Sequence, residues 1–165
     1  KLTTEYERSG SLPPEAPLRV TDEKFVSALR AHLGGIRPGD YVALLAYIEV
    51  NEAHEAELQA IRRAVRDRYK IATCLGFGPR FLHSTGQAYK GGPNSGVFLQ
   101  ITCDDAADLP VPGRKYTFGV VKAAQARGDF QVLAERGRRA LRVHLGEDVK
   151  AGLAALERAV HEAID

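Results

Sequence analysis

Apolar residues along the chain change their spacing repeatedly, and the changes predict strands that alternate with helices. Residues 41–48 are apolar almost without a break, which is typical of a strand covered on both faces in a parallel sheet. Three other apolar runs, residues 70–75, 96–103 and 140–145, predict further strands.

Around these strands, apolar residues recur at the spacing of a helix. The first helix is predicted from a cap at Thr21 to a stop at Gly34. Three more are predicted over residues 52–69, 117–137 and 148–164. Strands alternating with helices of this length indicate βαβ units. We therefore expect an α/β fold, a three-layer sandwich with a mainly parallel sheet of four or five strands.

Residues 1–20 differ from the rest, because they contain several prolines and no sustained apolar period. They are predicted to be a linker or N-terminal tail, and residues 21–165 a single domain. A chain of 165 residues is long enough for one ordinary domain with its own core. The chain begins at Lys1 and contains no methionine, so we expect it to be a piece of something longer.

Composition narrows the range of functions. The net charge is +2 with both signs mixed, too balanced for general binding of nucleic acid. No apolar run approaches the ~20 residues that a membrane span needs, and no secretory start is recognisable. Cys74 and Cys103 lie in apolar runs and are expected to be free core thiols. We therefore expect a cytoplasmic protein that binds neither nucleic acid nor membrane.

The loop over residues 76–92 is the expected functional site, because ligands bind at the carboxyl ends of strands in open parallel sheets. Hydroxyl groups and backbone N–H groups at a helix start suit an anionic or polyhydroxyl ligand. Six polar side chains fall within eleven positions of this loop: Arg80, His83, Ser84, Thr85, Gln87 and Lys90. The histidine can exchange protons near neutral pH. The alternative is structural, with Ser84 and Thr85 capping a helix and the histidine partly buried.

Nucleotide binding is a weaker interpretation of the same loop. Gly76 and Gly78 follow a predicted strand, as in a dinucleotide-binding fingerprint. Phe81 stands where the third glycine is required, and Pro79 interrupts the turn.

A family resemblance favours a sugar-phosphate enzyme instead. Residues 82–87, Leu-His-Ser-Thr-Gly-Gln, resemble the segment of bacterial phosphoglucose isomerases that carries the ring-opening histidine. Residues 116–119, Tyr-Thr-Phe-Gly, head the next long helix in both. The longer stretch 76–94 is similar to the isomerase half of bifunctional transaldolase/phosphoglucose isomerase fusions. The resemblance covers roughly residues 38–146 and implies a sugar-isomerase (SIS) fold and interconversion of glucose 6-phosphate and fructose 6-phosphate.

The resemblance also implies catalytic roles. His83 takes the position of the ring-opening histidine, with Arg80, Ser84, Thr85, Gln87 and Lys90 as expected substrate contacts. A lysine of the family corresponds to Arg138, and Lys122 is a rival for that role.

The family's glutamate base is missing, because residues 62–68 contain no glutamate. Asp67, Glu49 or Glu52 would have to replace it, or another part of the full chain would supply it. Solvated helix-start charges are the ordinary explanation for the two glutamates.

The predicted function is therefore the C-terminal part of a glucose-6-phosphate isomerase, inactive by itself and needing no cofactor or metal. The expected partners are a sugar phosphate, the rest of a longer isomerase or fusion chain, and a second copy in a homodimer. The alternative is a non-catalytic SIS module that binds sugar phosphates or dimerises. The histidine motif favours the enzyme, and the absent glutamate favours the module.

Overall fold

A computed structural model describes all residues, 1–165, and its centre is a five-stranded parallel sheet. The strands are β1 (Leu18–Arg19), β2 (Tyr41–Tyr47), β3 (Ala72–Phe77), β4 (Gly96–Thr102) and β5 (Arg139–His144). The helices are α1 (Leu2–Ser9), α2 (Phe25–Gly34), α3 (Glu52–Tyr69), α4 (Thr85–Gly91), α5 (Phe118–Glu135) and α6 (Val149–Ile164). The order across the sheet is β1-β5-β4-β2-β3, and every neighbouring pair is parallel.

Alternate residues of the central strand β2 point into two different cores. Val42, Leu44 and Ala46 belong to a large core beneath α2, α3 and α6. Ala43, Leu45 and Tyr47 belong to a smaller core beneath α4 and α5. Because both faces of the strand are covered, its sequence is apolar throughout. The predicted α/β sandwich of three layers is confirmed.

The predicted strands and long helices differ from the observed ones mainly at their ends. Strand β3 continues to Phe77, because Gly76 pairs with Leu45 and Phe77 pairs with Ala46. Helix α2 begins at Phe25, so the predicted cap at Thr21 is wrong. The residues before the helix instead form a turn, in which the Asp22 carboxylate accepts a hydrogen bond from the Arg19 N–H at 2.8 Å.

Residues 1–20 are not a simple linker, and that prediction is wrong. They contain α1, which packs against α5, and β1, which joins the edge of the sheet. Leu18 pairs with Val143, and Arg19 pairs with His144. A strand of two residues is too short to produce a recognisable apolar period, and α1 buries none of its residues completely.

None of the helices is both long enough and apolar enough to cross a membrane. Cys74 and Cys103 are free and half-buried.

Candidate functional site

The direction in which successive strands are added to the sheet reverses between β2 and β4. The chain passes from β2 to its neighbour β3 through α3, then crosses back over β2 to β4 through α4 on the other face. In open parallel sheets this arrangement leaves a crevice at the carboxyl ends of the two strands, where ligands usually bind. Tyr47 and Thr102 end the two strands at this place.

His83 lies in the turn that leads from β3 into α4. Phe81, only 5% exposed, anchors this turn in the smaller core, with its ring centroid 5.6 Å from that of Tyr47. The backbone N–H groups of Ser84 and Gly86 both donate to the Phe81 carbonyl, at 3.0 and 2.9 Å. The His83 side chain is exposed and makes no hydrogen bond within the chain. The turn is thus held from inside while its imidazole faces outward.

Two glycines allow the turn to approach the sheet so closely. A Cβ atom on Gly78 would lie 2.5 Å from the ring of Tyr47, which is itself buried. A Cβ atom on Gly86 would lie 2.8 Å from the Phe81 carbonyl oxygen. Both distances are shorter than real contacts, so a side chain at either position would push the turn away from the core.

The polar neighbours of His83 in sequence are exposed as well. They are Arg80, Ser84, Thr85 and Gln87. Ser84 occupies the cap position of α4, but its hydroxyl donates to the Phe81 carbonyl at 3.2 Å and accepts no capping hydrogen bond. The Gln87 amide donates to the Leu82 carbonyl at 2.6 Å. The capping explanation for the serine therefore lacks its hydrogen bond, and this group of side chains faces solvent together.

Lys90 is separate from that exposed group. Its Nζ lies 2.5 Å from Oδ1 of Asp129, whose side chain is only 2% exposed. The other carboxylate oxygen accepts a hydrogen bond from the Tyr47 hydroxyl at 3.2 Å. Burial, together with the neighbouring carboxylate, raises the pKa of Tyr47 well above its usual value, so this hydroxyl stays protonated. Lys90 thus neutralises a buried charge and is not presented to a substrate beside His83.

Arg138 lies at the amino ends of the strands, whereas His83 lies at their carboxyl ends. Its Nη2 donates to the carbonyls of Lys90 and Gly92, at 2.6 and 2.7 Å, and so satisfies the carboxyl end of α4. Helix α4 begins at the carboxyl edge of the sheet and ends at the amino edge, where β5 begins. Within one chain, the structure does not bring Arg138 and His83 together.

Lys122 does lie at the carboxyl edge, one turn into α5. Its ammonium group pairs with the Asp105 carboxylate, and its side chain is 22% exposed. Glu49 and Lys122 contribute to one cavity at this edge.

Of the candidate bases, Glu49 and Glu52 follow β2 directly and lie at the same edge as His83. Asp67, by contrast, lies in the last turn of α3 near the amino edge, where it pairs with Arg66. The structure therefore separates Asp67 from the predicted histidine.

One polar cavity was not predicted. It has a volume of about 240 Å³ and lies at the carboxyl ends of β4 and β5, against α5, with residues 15–19 as a further wall. Arg142 in the middle of β5 and Arg127 in α5 both line it. Arg142, a charged residue inside a predicted strand, was the available signal, but its partner Glu15 is far away in sequence.

Comparisons with known proteins support the fold and no more. No family model matches the chain, and no curated protein matches it. Among solved structures, the chain is similar to the crystal structure of a hypothetical protein from Thermus thermophilus, with a TM-score of 0.67 and 16% identity. The match covers 86% of this chain and 37% of that chain. At this identity the likeness shows a shared α/β fold, and this chain spans about a third of the length of the protein it matches.

Proposed function

We propose that the chain is the C-terminal SIS domain of a glucose-6-phosphate isomerase and supplies His83 to an active site completed by another polypeptide segment. The sequence motif at residues 76–94 and the second motif at residues 116–119 support the choice of family. The geometry of the turn supports the role of the histidine.

The observation that carries the proposal is the fixed, outward-facing position of His83. A general acid must come within hydrogen-bonding distance of the atom that receives its proton, so its backbone has to be held firmly. Phe81 and Gly86 hold this turn from the inside. The imidazole itself has no partner in the chain, which suits a site formed between two surfaces.

In the proposed reaction, His83 moves a proton to the ring oxygen of the cyclic sugar phosphate while the bond between C1 and that oxygen breaks and the C1 hydroxyl gives up its proton to become a carbonyl. A carboxylate then transfers a proton between C2 and C1, and a nearby cation stabilises the negative charge of the enediolate. In this chain, Glu49 or Glu52 and Lys122 have the right chemistry at the right edge of the sheet. Arg138 and Lys90 are assigned to bracing α4 instead.

A non-catalytic SIS module is the second candidate. It is favoured by the missing glutamate at residues 62–68 and by the distance of Asp67 from the carboxyl edge. Such a module would bind a sugar phosphate or a second copy without turnover, and His83 would then affect binding or stability only.

The decisive experiment is the substitution His83→Asn in the longer isomerase that, on this proposal, contains the chain. Turnover of cyclic glucose 6-phosphate should fall by about 100- to 10,000-fold, the usual contribution of a general acid–base group. A sugar phosphate supplied in the open-chain form should be isomerised almost normally, because it needs no ring opening.

His161 provides the matched control, since it is an exposed histidine in the last turn of α6 on the other face of the sheet. His161→Asn should leave both activities unchanged, and thermal melting should show that both variants are folded. Equal losses on the two substrates, or no loss on the cyclic one, would remove His83 from ring opening.

A further inference from the structure

The polar cavity at the ends of β4 and β5 is rich in cationic side chains. Arg19, Arg127, Arg142 and Lys122 all line it, together with His144. The acidic side chains that line it are Glu15, Asp104 and Asp105. Lys122 is paired with Asp105, and His144 lies 3.2 Å from Asp104. That leaves three arginines and a single carboxylate among the charged side chains of the cavity.

That carboxylate belongs to Glu15, and two arginines bind it. Both Nη atoms of Arg142 donate to it, the Nη2 bond to Oε2 being 2.9 Å long. Arg127 approaches Oε2 through its Nε at 2.6 Å. The Arg142 side chain is 11% exposed and that of Arg127 is 23% exposed. Two parallel hydrogen bonds from one guanidinium form a strong anion-binding arrangement.

The segment that carries Glu15 is held mainly by contacts with two arginines. Residues 12–17 have no regular secondary structure and connect α1 to the short strand β1. Besides the carboxylate, this segment is held by a hydrogen bond from Arg127 to the Pro13 carbonyl, 2.6 Å long. A carboxylate on such a segment can leave the cavity without unfolding the central sheet.

We infer that this cavity is a binding site for the phosphate group of a small phosphomonoester, and that Glu15 occupies it as an internal competitor. This site is separate from His83, and the inference does not rest on the proposed isomerase function. Once Glu15 leaves, four arginine and lysine side chains face two carboxylates, an excess of positive charge that matches a phosphate dianion. The volume of about 240 Å³ admits a small metabolite but is below the usual size of a pocket for a drug-sized ligand.

Binding of inorganic phosphate to the chain, measured by isothermal titration calorimetry at constant ionic strength, tests this inference. Glu15→Gln should bind phosphate about 10-fold more tightly than the wild type, a change of about 1.4 kcal/mol, because the competing charge is gone. Adding Arg142→Gln to that variant should abolish the gain. Arg19 is exposed and forms no ion pair, so Arg19→Gln tests the cavity without disturbing its packing and should weaken binding several-fold.

Glu7→Gln is the matched control, since it removes the same charge from the N-terminal region outside the cavity. Glu7 lies on α1, 3.8 Å from Arg114, and its loss should leave phosphate binding unchanged. The inference is overturned if Glu15→Gln binds no more tightly than Glu7→Gln, or if Arg19→Gln and the Arg142 variant bind as well as their parents. Phosphate binding should persist in His83→Asn, so failure here and failure of the isomerase proposal are distinguishable.

Discussion

At the scale of single residues, Asp129 accounts for the position of Lys90. Lys90 is close to His83 in sequence, but its ammonium group pairs with the buried Asp129 carboxylate and does not join the exposed side chains. Helix α5 presents this carboxylate to the smaller core, where it meets the Lys90 ammonium and the Tyr47 hydroxyl. A charge removed from water is costly unless it is paired and hydrogen-bonded. The three groups therefore depend on one another, and together they join α4, α5 and β2.

Removing Lys90 should be much more harmful than removing an exposed lysine. Lys90→Met leaves Asp129 buried without its counter-charge and should lower the free energy of unfolding by about 3–5 kcal/mol. Urea denaturation measures this loss, and the double variant Lys90→Met with Asp129→Asn should recover most of it. Lys150→Met, at an exposed position on α6, is the control and should be nearly neutral. If the two single lysine variants were equally stable, the internal role of Lys90 would be wrong.

At the scale of secondary structure, α4 is stable as a helix only because other parts of the chain contact it. It has seven residues, and isolated helices of that length are not stable in water. The Phe81 turn holds its first residues, the Lys90 ion pair holds its side, and Arg138 holds its last carbonyls. Because His83 lies just before this helix, the same contacts hold the backbone that carries the imidazole.

Arg138→Lys separates a helix-end role from a catalytic one. A lysine keeps the charge but cannot donate to the Lys90 and Gly92 carbonyls in the same way, so we expect a loss of about 1–2 kcal/mol in stability. If Arg138 stood in for a catalytic lysine, this substitution would instead preserve activity without affecting the melting temperature. Arg136→Lys is the control, since Arg136 reaches the Lys90 carbonyl only at 3.4 Å.

The elements that the sequence predicts well are those whose own residues are apolar at a regular spacing. Strand β2 and helix α6 have such patterns, and their predicted bounds are nearly those observed. Strand β1 is too short to show one. The roles of Lys90 and Arg138 depend on partners from other elements, and no local pattern contains that information.

The cationic cavity could not be predicted from the sequence for the same reason. Glu15 and Arg142 meet only because β1 lies beside β5 at one edge of the sheet. By contrast, the position of His83 in a turn after a strand follows from local spacing alone.

At the scale of the whole molecule, the candidate groups at the carboxyl edge are divided between two places. The cationic cavity lies where β4 and β5 end, and Lys122 lies between that cavity and the His83 turn, because it lines a second pocket with Pro79. His83 does not line the cationic cavity, so the predicted ring-opening group and the cationic side chains do not share one cavity in this chain. A complete isomerase site would therefore need further polypeptide beside the His83 turn.

The isolated chain of 165 residues should accordingly isomerise glucose 6-phosphate negligibly. A coupled assay that follows consumption of fructose 6-phosphate measures this, with folding checked by thermal melting. Turnover of ordinary enzymatic size, ~1–1000 per second, would mean that the chain holds a complete site and that the composite arrangement is wrong.

The pairing of β1 with β5 has a consequence for the order in which the molecule assembles. Leu18 and Arg19 are synthesised long before their partners Val143 and His144, which are far away in sequence. Contacts with such a high contact order form late, because a long loop must close first. The four longer strands can fold without β1, which then adds to their edge. We therefore expect the wall of the cationic cavity that contains Glu15 to close last during folding and to open first.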